Sequence, residues 1–249
     1  MASKVKIGII GGSGMEDPSF LESSKAKNIS TPYGDPSSEM FIGNFFETPI
    51  VIISRHGKGH SINPSNVNYR ANVWALKEEG CTHILAITAC GSLRKKIEPG
   101  HFIFPDQFID RTTKRICTFF DESDVKHAPM GNPFNLKLRN ILIQCCKLLE
   151  FNFHSKGTLV TIEGPRFSTR AESNLFRSWG CDIINMSTVP EVVLANELQM
   201  KYQPIAMSTD YDCWLESEDE VSMEIIYEVM KKNVNNVKKL IEKAIPLIK

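Results

Sequence analysis

Asp210 and Asp212 stand two residues apart in Ser208-Thr209-Asp210-Tyr211-Asp212-Cys213-Trp214, directly after the apolar run Pro204-Ile205-Ala206-Met207. That run reads as a buried strand. The acids therefore fall near its C-terminal end, where α/β sheets bind ligands. On an extended chain both side chains face the same way. Two like charges that close either sit in water or share protons and donors. A solvated acidic loop remains an open reading of this stretch alone.

Other chemistry-bearing residues follow apolar runs in the same manner. Pro49-Ile50-Val51-Ile52-Ile53-Ser54 leads into Arg55-His56-Gly57-Lys58-Gly59-His60. An arginine fork matches phosphate geometry. Val5-Lys6-Ile7-Gly8-Ile9-Ile10 leads into Gly11-Gly12-Ser13-Gly14. Such a turn presents bare backbone N–H groups to an anion. It lacks the G-x-G-x-x-G spacing and the lysine of a P-loop, and an ordinary tight turn fits it as well. Thr88-Ala89 and Ser187 close two more strand candidates. Hydroxyls, an arginine and backbone N–H groups suit inorganic phosphate. Carboxylates suit a donor-rich group such as a nucleobase edge or an amine. Both together suit phosphate and something like a nucleoside, and spacing alone goes no further.

The elements that must position these residues alternate strand with helix, which predicts an α/β fold. Strands are expected over 5–10, 49–54, 82–88 (with a turn at 89–92), 102–105, 157–162, 182–187 and 205–208. Helices are expected over 68–79, 134–149, 170–179, 191–200 and 221–243, with Ser222 as N-cap of the last. Residues 16–49 are mixed, and 110–132 form a long polar excursion of the kind that is functional or makes subunit contacts. No repeat or linker interrupts the chain, so one domain over residues 1–249 is expected.

Composition narrows the class. The 249 residues are 42% hydrophobic, enough for a large core. Lys+Arg and Asp+Glu are both 29, which argues against nucleic-acid or membrane binding driven by bulk charge. No apolar run approaches the roughly 20 residues that span a bilayer, and the N-terminus reads as lacking a signal peptide. Of seven cysteines, Cys81, Cys90, Cys145, Cys146 and Cys181 lie in apolar segments without metal-ligand spacing. They read as reduced core thiols of a cytoplasmic protein.

Two stretches are more specific: Glu163-Gly164-Pro165-Arg166-Phe167-Ser168 and Asn185-Met186-Ser187-Thr188-Val189-Pro190-Glu191. With the segments around 6–14, 55–57, 66–80, 88–93, 106–113 and 206–214, they make nearly the whole chain resemble the trimeric purine nucleoside phosphorylases. Within these it resembles the 5′-deoxy-5′-methylthioadenosine phosphorylases. The resemblance implies a single domain with a mixed central β-sheet surrounded by helices, and a homotrimer in the cytoplasm, with the nucleus as a second location. It implies a phosphate site of Ser13, Arg55, His56, Thr88, the Ala89 backbone N–H and Ser187. The family commonly has Thr where Ser13 and Ser187 stand, and a hydroxyl survives both changes. Met186 would lie against the ribose, Phe167 and Ser168 against the base, and Asp210 and Asp212 would hold the purine. His127 would reach the 5′ end from a neighbouring subunit.

The resemblance also implies phosphorolysis of 5′-methylthioadenosine to adenine and 5-methylthioribose 1-phosphate, with adenosine as a further substrate and no cofactor. Enzymes of 6-oxopurines typically carry Asn at the position of Asp210. A carboxylate accepts from a 6-amino group, whereas Asn can donate to a 6-oxo group. Those enzymes also have Glu where Ser168 stands. Met223, Ile226 and Tyr227 fall where the ribose 5′ end is capped, offering an apolar patch where a histidine could bond a 5′-hydroxyl. Met223 and Ile226 also fit one face of an amphipathic helix. Phosphorolysis of inosine or guanosine is the alternative reading.

Overall fold

The computed structural model describes residues 5–11, 21–121, 124–216 and 222–249, apart from the side chains of residues 225 and 232. Ser13 lies outside the described residues. Within them, one sheet of 11 strands carries the fold. Its main path runs β2 (Glu22–Lys27), β3 (Met40–Phe45), β4 (Thr48–Ser54), β1 (Ile7–Gly11), β5 (His83–Ser92), β10 (Ile183–Asn185), β9 (Thr158–Ile162), β7 (Gln107–Arg111). A branch leaves β5 through β11 (Lys201–Asp210) to β6 (Phe102–Ile103) and β8 (Phe153–His154). Pairings β1–β4, β1–β5 and β5–β11 are parallel, whereas β3–β4 and β5–β10 are antiparallel. The sheet is therefore mixed, as the sequence resemblance implied.

Helices α1 (Tyr69–Glu78), α2 (Leu136–Leu148), α3 (Arg170–Ser178), α4 (Thr188–Glu197) and α5 (Met223–Ala244) flank it. The central strands bury side chains of both parities, so both faces need cover. Ile7, Ile9, Leu85, Ile87, Ile205 and Met207 pack with Leu138 and Leu142 of α2 and Val237, Leu240 and Ile241 of α5. Ile10, Val51, Ile53, Ile84 and Ala86 pack with Val73 and Leu76 of α1 and Val192 and Leu194 of α4. The helix starts carry local signals. Asn68 and Asn135 cap α1 and α2 through their side-chain oxygens. Thr169 and Glu172 form a reciprocal capping box on α3.

Three expectations change. The turn expected at 89–92 is instead the far half of β5, continuous to Ser92. The strand expected from Ile205 begins at Lys201, so β11 contains Pro204 and the buried Gln203. The mixed stretch 16–49 contains β2 and β3; β2 is exposed throughout and has no apolar alternation to reveal it. All seven cysteines are free thiols, and Cys81, Cys90, Cys145, Cys146 and Cys181 are buried.

Candidate active site

The site exists because β5 outlasts its neighbour. β1 pairs with β5 only as far as Ile10↔Ala86, while β11 follows β5 to Gly91. Between Ala86 and Gly91, where β10 takes up the pairing, one edge of β5 is left without a strand partner, and the chain leaving β4 turns across the gap. The Arg55 N–H donates to Gly11 O at 3.0 Å, and Arg55 Nη1 donates to Ile87 O at 2.8 Å. A cavity of about 410 Å³ opens here, lined by residues of β5, β11, the ends of β4 and β10, and the N-terminal part of α5.

At its floor lies the anion end. Arg55, His56, Thr88, Ala89 and Ser187 all line the cavity. Arg55 is 1% exposed, so its charge needs a partner. Glu191 of α4 supplies it: Arg55 Nε and Nη2 donate to Glu191 Oε1 and Oε2, the latter at 3.0 Å, and the Tyr202 hydroxyl donates to Oε2 at 2.8 Å. Burial works to lower the Arg55 pKa, and the charge and hydrogen bonds of Glu191 outweigh it, holding the guanidinium above its ordinary value. Three of the five guanidinium N–H groups are engaged by these bonds and by Ile87 O, which leaves two to address an anion. The Thr88 and Ser187 hydroxyls lie 3.0 Å apart. Asn185 holds Thr88 Oγ1 at 3.1 Å and Thr188 Oγ1 at 2.7 Å through Nδ2, and accepts from Thr161 Oγ1 at 2.9 Å. The hydroxyl pair is therefore fixed before any ligand arrives.

His56 has its Nδ1 2.9 Å from Ile62 O, so Nδ1 carries the proton that the carbonyl accepts. Burial first, then the charges of Arg55 and His60, lower its pKa to about 3. The ring is neutral near pH 7, and Nε2 is an acceptor there. His60 stacks on it at 4.2 Å between ring centroids.

The acid end lies at the top of β11. Asp210, Asp212, Phe167 and Ser168 line the same cavity. Asp212 is not on an extended chain as expected: its φ is 52°, so the backbone has turned. The turn brings Asp212 N–H to Asp210 Oδ1 at 2.7 Å, while Ser168 Oγ lies 2.6 and 2.7 Å from the two Asp212 oxygens. Burial, with a smaller contribution from Asp212, raises the Asp210 pKa against the hydrogen bonds of Thr209 and the Asp212 N–H. Gly91 makes room for this. A Cβ there would stand 2.9 Å from Asp210 Oδ1 and 3.0 Å from Ile184 Cγ2.

A third side of the cavity carries Met186, His60, Met223 and Ile226. Tyr227, expected beside them, is not in the cavity lining. It is 42% exposed and stands edge-on to His60 at 6.3 Å. His127 is exposed and does not line the cavity of its own chain. Sequence reasoning missed Glu191, Asn185, His60 and Gly91. Glu191 had a signal, being an acid inside the apolar run Val189-Pro190-Glu191-Val192-Val193-Leu194, where a buried charge demands a cation.

A cavity with anion donors at one end and a pair of acids at the other, at the C-terminal ends of parallel strands, defines a nucleoside-phosphorylase type of site. The chain belongs to the phosphorylase superfamily, whose family model matches residues 6–246. It is 53% identical over 251 residues to the S-methyl-5′-thioadenosine phosphorylase of Danio rerio, covering 99% of this chain and 90% of the relative. The enzyme of the same name from Ciona intestinalis is 54% identical over 98% of this chain and 89% of its own. Among solved structures, methylthioadenosine phosphorylase from Schistosoma mansoni in complex with adenine superposes with a TM-score of 0.94 at 43% identity, covering 98% of this chain and 92% of that one. A variant of the Schistosoma mansoni adenosine/methylthioadenosine phosphorylase in complex with methylthioadenosine gives 0.93 at 42% identity, covering 98% and 91%.

Proposed function

We propose that this chain catalyses phosphorolysis of 5′-methylthioadenosine to adenine and 5-methylthioribose 1-phosphate. The observation that carries this reading is the joint placement of Arg55, Thr88 and Ser187 against Asp210 in one cavity. Phosphate oxygen attacks C1′ as the C1′–N9 bond breaks, through an oxocarbenium-like state. The bonding electrons enter the purine, and N7 becomes basic. Asp210, its pKa raised by burial, donates a hydrogen bond or proton at N7. Asp212 is held by Ser168 and stays beside the base edge. Arg55 and the Thr88–Ser187 pair hold the nucleophile, contributing proximity and charge stabilisation. His56, neutral with Nε2 as acceptor, suits a phosphate oxygen that still carries a proton. The step balances without a metal or organic cofactor, and we include their absence in the proposal.

Adenosine as a second substrate belongs to the same proposal, supported by the placement of His60 on the cavity wall beside Met223 and Ile226, where a 5′-hydroxyl would find a polar partner. The reading also includes a homotrimer, supported by the exposure of His127, Ile116 and Val125 on one excursion, and a cytoplasmic location.

Asp210→Asn tests the assignment. With phosphate present, kcat/KM on methylthioadenosine is expected to fall about 100-fold or more, with inosine cleavage appearing. Full retention of adenine-nucleoside activity without any on inosine would sink the role given to Asp210. Faster cleavage of inosine than of methylthioadenosine by the unaltered chain would favour the 6-oxopurine alternative.

A further inference from the structure

The acid end depends on a turn, residues 211–216, that has little secondary structure of its own. Its attachments converge on α3. Ser168, just before the Thr169 cap, binds Asp212. Arg170 Nε donates to Cys213 O at 3.4 Å. At the far end of the helix, the Arg177 guanidinium lies 3.5 Å from the centroid of the Trp214 ring. Trp214 in turn donates through Nε1 to Ser92 O at 2.8 Å, the last carbonyl of β5. Tyr211 stands edge-on to Trp214 at 6.2 Å, and its hydroxyl donates to Lys95 O at 3.3 Å.

Arg177 occupies this place against its own interest. Its Nη1 is buried without a hydrogen-bond partner among the described residues. Burial, then the nearby charge of Arg94, lower its pKa. An unpaired, buried N–H on a cation is costly. The ring stack is the compensating contact, because a guanidinium over an indole face gains a cation–π attraction. It clamps a side chain that ties the acid-bearing turn to β5.

We infer that Arg177 is a positioning residue for the purine-binding acids, acting through Trp214, and that α3 is the brace on which the base subsite is built. The inference rests on the phosphorolysis reading for the identity of the base. It separates the two ends of the cavity: among the described residues the side-chain hydrogen bonds of Arg55, Thr88 and Ser187 run to Glu191, Ile87, Ala89, Asn185 and one another, with none to α3, so phosphate handling should not depend on it.

Arg177→Met removes the cation and keeps a side chain of comparable length. Its KM for methylthioadenosine and Kd for adenine are expected to rise about tenfold, a 1.4 kcal/mol change, with KM for phosphate within about twofold of the parent. Arg177→Lys should recover part of the loss, since an ammonium also sits on an indole face. Trp214→Phe should repeat the pattern if Arg177→Met fails to fold, because the phenyl ring loses the N–H to Ser92. Adenine affinity by calorimetry needs no turnover. Unchanged adenine affinity in folded variants, or equal loss for phosphate and nucleoside, would overturn the brace. Absence of phosphorolysis by the unaltered chain would overturn the reading beneath it while leaving the adenine measurement interpretable.

Discussion

Arg55 shows how a single residue can be read correctly for type and incompletely for cost. The sequence places it at a strand end beside His56, and phosphate recognition follows from the guanidinium fork. What spacing does not show is that its side chain is almost wholly out of water, so that another acid must neutralise it before any phosphate arrives. That acid, Glu191, is 136 residues away in the chain and fully buried. Glu191→Gln leaves a buried cation uncompensated. The expected cost is about 3–5 kcal/mol of stability, read as a lower denaturation midpoint, and added phosphate should recover part of it by replacing the missing charge. A midpoint within experimental error of the parent would show that Arg55 relaxes into water. Gly91 is the complementary case, a residue important for what it lacks. Gly91→Ala puts a methyl against Asp210 Oδ1 and Ile184. The expected result is an intact fold with nucleoside KM raised about tenfold or more, equivalent to a 1.4 kcal/mol loss.

At the scale of elements, the sequence announces whatever is periodic or capped. The apolar runs of β1, β4, β5 and β11 and the helices α1, α2, α3 and α5 are visible because burial imposes their pattern, and Asn or Thr marks the starts of α1, α2 and α3. It does not announce β2, whose residues are all exposed and show no apolar alternation. Nor does it announce the far half of β5. Gly91 reads there as a turn residue, yet it is a strand glycine required by the approach of Asp210. The site suffers from the same limit. Arg55, His56, Thr88, Ser187, Asp210 and Asp212 sit at strand ends that the sequence marks, but the divergence of β5 from β1 that creates the cavity is a property of the sheet. α3 is short and its exposed capping box holds its first turn. Thr169→Ala is expected to cost about 1 kcal/mol in urea denaturation. Because Ser168 precedes that cap, adenine affinity should fall with it. Loss of stability with unchanged adenine affinity would show that Ser168 is held independently of the helix start.

For the whole molecule, two groups on different elements make the same demand on pH. Glu163 accepts from the Thr113 and Lys114 backbone N–H groups at 2.6 and 2.9 Å and pairs with Arg115 at 3.1 Å, tying the 110–132 excursion to the cavity wall. Burial raises its pKa, and these bonds outweigh that to bring it to about 2. As a carboxylate with a depressed folded pKa, it contributes stability that is present above about 4.5 and lost as pH falls toward 2. His56, lowered to about 3, works in the same direction for a different reason. The unfolded chain takes up a proton near pH 6.5 that the folded chain refuses until about pH 3, so acid favours unfolding throughout that interval. The melting temperature should therefore be nearly flat above pH 7, begin to fall below 6.5, and fall further below 4.5. Phosphate separates the two contributions. Its charge beside His56 makes the protonated ring less costly, so saturating phosphate should flatten the decline between pH 6.5 and 4.5 in addition to the uniform stabilisation that any ligand gives. It should leave in place the further loss that sets in below 4.5, which the depressed carboxylates Glu163 and Glu172 add to that of His56. Glu163→Gln should do the reverse. A phosphate effect of equal size at pH 7.5 and pH 5 would mean that His56 does not face the anion, and it would remove that residue from the phosphate site while leaving Arg55, Thr88 and Ser187 in place.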